Sequence, residues 1–93
     1  MRKIVICGTS WCRPCNNLKH NLIPRIEKDC PDQIEYIDLQ VQPSAVDKYK
    51  VYKIPMMSLV EDDEIVKRYV GTYPQFNKLI HWLKGDIDDT DIC

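Results

Sequence analysis

Residues 4–15 read Ile-Val-Ile-Cys-Gly-Thr-Ser-Trp-Cys-Arg-Pro-Cys, and their β-branched apolar run up to Gly8 predicts a strand buried on both faces. After a short loop, apolar side chains recur at spacings of three and four residues, which predicts a helix. Because this pattern continues beyond Pro24, we expect that proline to bend the helix rather than end it. The members of the helical stripe are Cys15, Leu18, Leu22, Ile26 and Cys30.

The remaining apolar runs predict three more strands and two more helices. The helices begin at Pro43, through about Tyr49, and at Pro74, where a proline suits the first helical turn. The acidic connector at residues 61–64 is short enough to join the last two strands as a hairpin. The strands are predicted at residues 34–39, 56–60 and 65–70.

The resulting order of elements is β-α-β-α-β-β-α. A crossover helix makes the first two strands parallel, and the hairpin adds antiparallel pairing. We therefore predict an α/β fold with a central four-stranded mixed sheet and helices on both faces. The predicted domain spans residues 1–85, and the acidic tail at 86–93 is expected to fray.

Composition narrows the functional classes. A chain of 93 residues has the size of one domain. Its formal net charge of −1 gives no electrostatic argument for nucleic-acid binding, which usually needs a basic face. The apolar run before Gly8 is too short for a secretion signal or a membrane span, so we expect a cytoplasmic protein that binds no membrane.

The cysteines are expected to be chemically active. Structural disulfides are unusual in a reducing compartment, and five cysteines cannot all pair within one chain. A zinc site would need two ligands beyond Cys12 and Cys15, and the other candidates form no second paired motif. We therefore expect no metal ligands. Those other candidates are Cys7, His20, Cys30, His81 and Cys93.

Cys12 and Cys15 lie at different positions in the predicted helix, and these positions predict different roles for them. The helix N-terminus favours negative charge, and in such sites a thiol pKa falls from about 8.5 to between about 3.5 and 7.5. Cys12 is thus the expected attacking thiolate, and the positive charge of Arg13 favours that thiolate further. Cys15, one helical turn on, is the expected resolving thiol. Pro14 supplies a fixed φ at the first turn.

Trp11-Cys12-Arg13-Pro14-Cys15 resembles the active-site motif of the thioredoxin family, Trp-Cys-Gly-Pro-Cys, with Arg13 in place of the glycine. The segment 49–55 resembles the family's approach to its cis-proline, and Val70-Gly71 lies where the family ends its final strand. This resemblance implies a thioredoxin-like fold. It also implies a thiol–disulfide oxidoreductase that reduces protein disulfides through a Cys12 mixed disulfide.

The resemblance also implies the substrate-binding residues. Ile54–Pro55 would be a cis peptide that faces the two cysteines, and the backbone of Ile54 would pair with an extended substrate segment. Trp11 would flank the site as an apolar platform. Tyr73 is predicted to border the same groove, although packing at the helix entry would explain it equally well.

Two positions depart from the family pattern. Thioredoxins usually bury an Asp six positions before the first cysteine, and Ile6 occupies that position here. The Lys that commonly accompanies it aligns with Tyr36. The proton of Cys15 would therefore pass to water, to Tyr36 or to the departing thiolate.

A glutaredoxin-like, glutathione-dependent reductase is the main alternative, and a thioredoxin-fold binding subunit is another. Glutaredoxins usually carry Cys-Pro at the motif and a Gly-Gly-x-x-Asp-like signature after the last strand, where this chain has Gly71-Thr72-Tyr73-Pro74. No bound cofactor is expected, because the redox-active disulfide would carry electrons from a thioredoxin reductase, or from glutathione in the alternative. The expected partners are that reductase and disulfide-containing proteins, with ribonucleotide reductase as one candidate. The chain is expected to be a monomer.

Overall fold

One mixed sheet organises the chain in the computed structural model, which describes residues 1–71 and 75–92. Its strands are β1 (Arg2–Gly8), β2 (Ile34–Asp38), β3 (Met56–Glu61) and β4 (Glu64–Val70). Their order in the sheet is β2-β1-β3-β4. The β1–β2 pair is parallel, and the β1–β3 and β3–β4 pairs are antiparallel. The predicted α/β fold and its mixed four-stranded sheet are confirmed.

Helices cover both faces of the sheet, as the sequence predicts. They are α1 (Arg13–Asn17), α2 (Ile23–Asp29), α3 (Ala45–Lys48) and α4 (Phe76–Leu83). Apolar side chains of residues 18–26 and of α4 pack on one face, and α3 covers part of the other. In the part of the chain that the structure describes, no helix is long and apolar enough to cross a bilayer.

A π-helical turn at Leu18–Leu22 joins α1 to α2, so the predicted long helix is continuous but not uniformly α-helical. Pro24 is near the start of α2. Proline has no N–H, and its ring clashes with the carbonyl four residues earlier in a regular α-helix. The wider π-helical turn immediately before Pro24 changes this hydrogen-bond pattern while the helix continues.

The main core lies between the sheet on one side and the π-helical turn, α2 and α4 on the other. Trp82 of α4 is its largest fully buried side chain, and the guanidinium of Arg2 lies 5.1 Å from the Trp82 ring centroid. The strands contribute Ile4, Ile6, Ile34, Met57 and Leu59.

The expectation of a frayed acidic tail is wrong for its described part, which ends at Ile92. Residues Asp89–Asp91 form a 3₁₀ turn, and the side chain of Ile92 is fully buried in the main core. The guanidinium of Arg2 donates hydrogen bonds to the carbonyls of Trp82 (2.8 Å) and Ile87 (2.6 Å), and Lys67 Nζ donates to the carbonyl of Ile92. Burial of Ile92 and these hydrogen bonds hold the segment against the domain.

A smaller cluster lies under α3 on the opposite face, and it contains the buried thiol of Cys7. Burial raises the pKa of Cys7 to about 11, and the Glu35 carboxylate adds to the increase. The thiol therefore stays protonated in the folded protein at neutral pH. The other buried members of the cluster are Val5, Ile37, Ala45, Tyr49 and Val60.

This buried thiol predicts a loss of stability at alkaline pH. The unfolded chain releases the Cys7 proton at the ordinary pKa of 9.0, whereas the folded chain retains it up to about 11. The free energy of unfolding is therefore unaffected below about pH 9 and falls by about 2 kcal/mol as the pH rises to about 11. Urea titrations across this range should show a smaller decline for Cys7→Ala. Equal slopes for both proteins would contradict the prediction.

Candidate active site

Cys12 and Cys15 form a disulfide at the start of α1, with their Cα atoms 5.2 Å apart. Cys12 is the N-cap of α1, with an extended backbone (φ −90°, ψ 110°), and its Sγ accepts a hydrogen bond from the backbone N–H of Cys15 at 3.3 Å. The two predicted catalytic residues therefore lie together at the N-terminus of a helical segment that continues to Asp29.

The two cysteines differ in access to solvent. Cys12 retains 7% of its surface, whereas Cys15 retains 0% because it lies beneath the first helical turn. A protein substrate can therefore approach the sulfur of Cys12 but not that of Cys15.

The residues beside the cysteines form the outer surface of the site. Trp11 is 72% exposed, so its indole is open to a partner, and it covers no core. Arg13 and Pro14 are also exposed, and Pro14 occupies the first turn of α1 as predicted.

Three polar residues hold the loop between β1 and α1, and the sequence analysis did not identify their role. The backbone N–H and hydroxyl of Ser10 donate to Gln40 Oε1, at 3.3 and 2.7 Å. Asn16 Nδ2 donates to the carbonyl of Ser10 at 2.9 Å. These contacts fix the loop that leads to Cys12, but no short motif in the sequence marks them.

Gly8 permits the close approach of two groups that are far apart in the sequence. A Cβ added at Gly8 would lie 2.6 Å from the hydroxyl oxygen of Tyr36 and 2.7 Å from Cys15 Sγ. A side chain at this position would have to displace these atoms, so the last residue of β1 is best a glycine. A glycine that ends an apolar strand often marks such a close approach, which is the signal that could have identified this role.

The two positions that depart from the family pattern are neighbours in the sheet. Ile6 of β1 pairs with Tyr36 of β2, and the side chain of Ile6 is fully buried. The Tyr36 hydroxyl donates to the carbonyl of Thr9 at 3.5 Å, which is long for such a bond. Burial, followed by the negative charge of Asp38 and, at alkaline pH, that of the Cys7 thiolate, raises the pKa of Tyr36.

Pro55 lies at the same end of the sheet as the cysteines. Met56, the residue after it, pairs with Cys7 at the end of β1, and the Ile54–Pro55 peptide bond is cis. The backbone N–H of Gly71 donates to the carbonyl of Pro55 at 2.8 Å. Ile54 is half-buried, whereas the predicted site residue Tyr73 lies outside the described residues.

Potential metal ligands are not clustered in the ranges 1–71 and 75–92: no three His, Cys, Asp or Glu side chains there could hold one ion. The two candidate histidines are both exposed. His81 contacts Asp86 instead, with 3.1 Å between Nδ1 and Oδ2.

The strand β1, the loop after it and the helix α1 present a Cys-x-x-Cys disulfide, which defines a thiol–disulfide redox centre. Comparisons with known proteins show the family to which the chain belongs. The thioredoxin family profile matches residues 2–85. A thioredoxin-like protein of Synechocystis is 33% identical over 87 residues, which cover 91% of this chain and 78% of that protein. Thioredoxin of Staphylococcus epidermidis is 31% identical over 80 residues, which cover 81% and 73% of the two chains. This chain therefore belongs to the thioredoxin family and is one of its disulfide oxidoreductases.

Solved structures agree on the fold. Fasciola hepatica thioredoxin superposes with a TM-score of 0.72 at 21% identity and covers 92% of this chain and 81% of its own. The Schistosoma mansoni thioredoxin pre-protein gives 0.73 at 20% identity, with 92% and 79% covered. The thioredoxin fold implied by the motif is confirmed.

Proposed function

We propose that this chain reduces protein disulfides as a dithiol, with Cys12 as the attacking thiolate and Cys15 as the resolving thiol. The unequal exposure of the two sulfurs carries this proposal. A substrate disulfide can reach Cys12 from solvent, whereas Cys15 is positioned to attack only the sulfur of Cys12 itself, once that sulfur is bonded to the substrate. A binding subunit without redox function would have no need of this arrangement.

The proposed reaction transfers two electrons to the substrate. The Cys12 thiolate attacks one sulfur of the substrate disulfide, the substrate S–S bond breaks, and the other substrate sulfur leaves as a thiolate that takes a proton. Cys15 then loses its proton and attacks the Cys12 sulfur. The bond between Cys12 and the substrate breaks, the second substrate thiol leaves, and the Cys12–Cys15 disulfide remains.

Local electrostatics favour the Cys12 thiolate. The sulfur sits at the positive end of a helix and accepts the N–H of Cys15, and the first turn contains no acidic residue. Arg13 adds a positive charge beside it. Thiolates in such surroundings are stabilised relative to thiols, which makes Cys12 the stronger nucleophile of the pair.

Substrates are proposed to bind across the sheet end that carries both Cys12 and Pro55. The exposed indole of Trp11 supplies an apolar surface beside the reactive sulfur. The backbone of Ile54 is proposed to pair with an extended segment of the substrate, which is recognition by strand addition. Backbone pairing of this kind accepts many sequences and therefore suits a reductant with several substrates.

A thioredoxin reductase is the proposed electron donor, and no bound cofactor is needed because the dithiol itself carries the electrons. The protein is proposed to act as a cytoplasmic monomer, with ribonucleotide reductase among its candidate substrates. An NADPH-coupled assay with thioredoxin reductase, run beside one with glutathione and glutathione reductase, distinguishes this donor from the glutaredoxin-like alternative. Faster oxidation of NADPH in the glutathione assay would contradict the proposed donor.

The reduction potential of Cys12–Cys15 tests the direction of transfer. We expect a value near about −270 mV, at the reducing end of the thioredoxin-like range. Equilibration with glutathione buffers, followed by alkylation and mass spectrometry, measures it. A value above about −200 mV would contradict the proposed reductant role and favour glutaredoxin-like or oxidising chemistry.

A further inference from the structure

The resolving step requires a fully buried thiol to lose a proton. Cys15 must become a thiolate to attack Cys12, but its side chain has no exposed surface. The residue of β1 that pairs with Tyr36 is the apolar Ile6, so β1 offers no carboxylate at that position. Burial disfavours the charged form of a thiol, and the step would be slow without a group that stabilises the thiolate.

The hydroxyl of Tyr36 is the polar group that the fold brings to this sulfur. Tyr36 Oη and Cys15 Sγ lie 2.6 and 2.7 Å from one point above Gly8, so their separation cannot exceed the total of those two distances. Both atoms border the space that the missing glycine side chain leaves, so no Cβ of residue 8 separates the oxygen from the sulfur.

We propose that Tyr36 donates a hydrogen bond to the Cys15 sulfur as that sulfur becomes a thiolate, and so accelerates the resolving step; the inference rests on the proposed function. The Tyr36 hydroxyl keeps its own proton throughout. The Cys15 proton passes to solvent or to the departing substrate sulfur. The new Cys12–Cys15 bond forms as the bond between Cys12 and the substrate breaks.

The surroundings of Tyr36 keep it a donor rather than a base. Burial raises its pKa, and the charge of Asp38 acts in the same direction, so the phenol is protonated at neutral pH. The ammonium group of Lys19 lies 5.1 Å from the ring centroid. Among the residues that the structure describes, the hydroxyl of the oxidised protein donates only the long bond to the carbonyl of Thr9, which a thiolate can replace.

Ionisation of Cys15 can be measured without any substrate. In a Cys12→Ser background, the rate of Cys15 alkylation by iodoacetamide reports the thiolate fraction, and peptide mass spectrometry separates it from the other cysteines. We expect Tyr36→Phe to slow this rate about three- to tenfold near pH 8, which corresponds to the net free energy of one hydrogen bond. The rate–pH profile should shift to higher pH, and both variants should converge where the thiol is fully ionised.

Tyr49→Phe is the matched control, because Tyr49 is a buried tyrosine on the opposite face of the sheet. We expect it to leave the Cys15 profile unchanged. A change of access alone would scale the Tyr36→Phe rates equally at every pH. Such uniform scaling, or an unchanged profile, would overturn the inference.

A second measurement follows the resolving step itself in the protein that retains both cysteines. With the disulfide reagent DTNB, attack by Cys12 releases one coloured thiolate and resolution by Cys15 releases the second. Tyr36→Phe should slow the second phase three- to tenfold and leave the first unchanged. Equal second phases would overturn the inference. If the protein instead proves not to reduce protein disulfides, the proposed function fails while these two measurements still report on Tyr36.

Discussion

Replacing Cys12 with serine is expected to abolish the reduction of protein disulfides, because the attacking thiolate is then absent. Cys15 cannot substitute for it, since a fully buried sulfur is out of reach of a protein disulfide. In an insulin-reduction assay with dithiothreitol, Cys12→Ser should give no more turbidity than dithiothreitol alone. Activity near that of the unaltered protein would show that the assigned nucleophile is wrong.

Replacing Cys15 instead is expected to trap the reaction halfway. Cys12 of the Cys15→Ser variant still attacks, but no thiol displaces the substrate, so a mixed disulfide accumulates. Non-reducing electrophoresis and mass spectrometry should detect this adduct on Cys12. Cys30→Ala is the matched control, because it removes a buried thiol outside the site and should retain activity. An adduct on any cysteine other than Cys12 would contradict the assignment.

Replacing Gly8 with alanine is expected to lower the free energy of unfolding by about 1–3 kcal/mol, the usual cost of overpacking a filled core. The new Cβ would lie within 2.8 Å of three atoms of Tyr36 and Cys15. A glycine in a strand normally tolerates or benefits from alanine, so a loss of stability would report the crowding alone. Urea denaturation of the oxidised protein measures it. Unchanged stability would mean that the two side chains can separate freely.

A double substitution identifies the atom responsible for the crowding. Tyr36→Phe removes the oxygen nearest to the added Cβ, so Gly8→Ala combined with Tyr36→Phe should lose less stability than the two single effects added together. Gly71→Ala is the control for this coupling. Within the described ranges, no atom lies within 4 Å of a Cβ at Gly71, so its expected cost arises from a positive φ of 85°. Its effect should therefore add to that of Tyr36→Phe without interaction.

Local patterns in the sequence were sufficient to predict the sheet, the helices and the cysteine pair that forms the disulfide. The spacing of apolar residues, two in a strand and three to four in a helix, indicates which face of the element is buried. Cys12 and Cys15 lie within one helical turn of each other. The redox centre could thus be predicted because its parts are close in the sequence. Its chemistry follows from its position at a helix N-terminus, which is also a local feature.

The features that sequence analysis missed depend on contacts between distant residues. Tyr36 and Cys15 meet over Gly8 only after β2 pairs with β1, and no spacing encodes that meeting. The tail was misjudged for a similar reason. Its aspartates suggested a solvated segment, while the apolar side chain of Ile92 and the donors of Arg2 decide where it packs.

The bonds of Arg2 to the carbonyls of Trp82 and Ile87 bear on how the chain folds during synthesis. β1 lies inside the sheet and is synthesised before the segment that covers it. β3 emerges before that segment, so β1 can pair with β3 while it still lacks the cover of α4 and Ile92. β1 therefore exposes apolar surface in the nascent chain until the covering segment is free, and exposed apolar surface of this kind promotes aggregation before folding is complete.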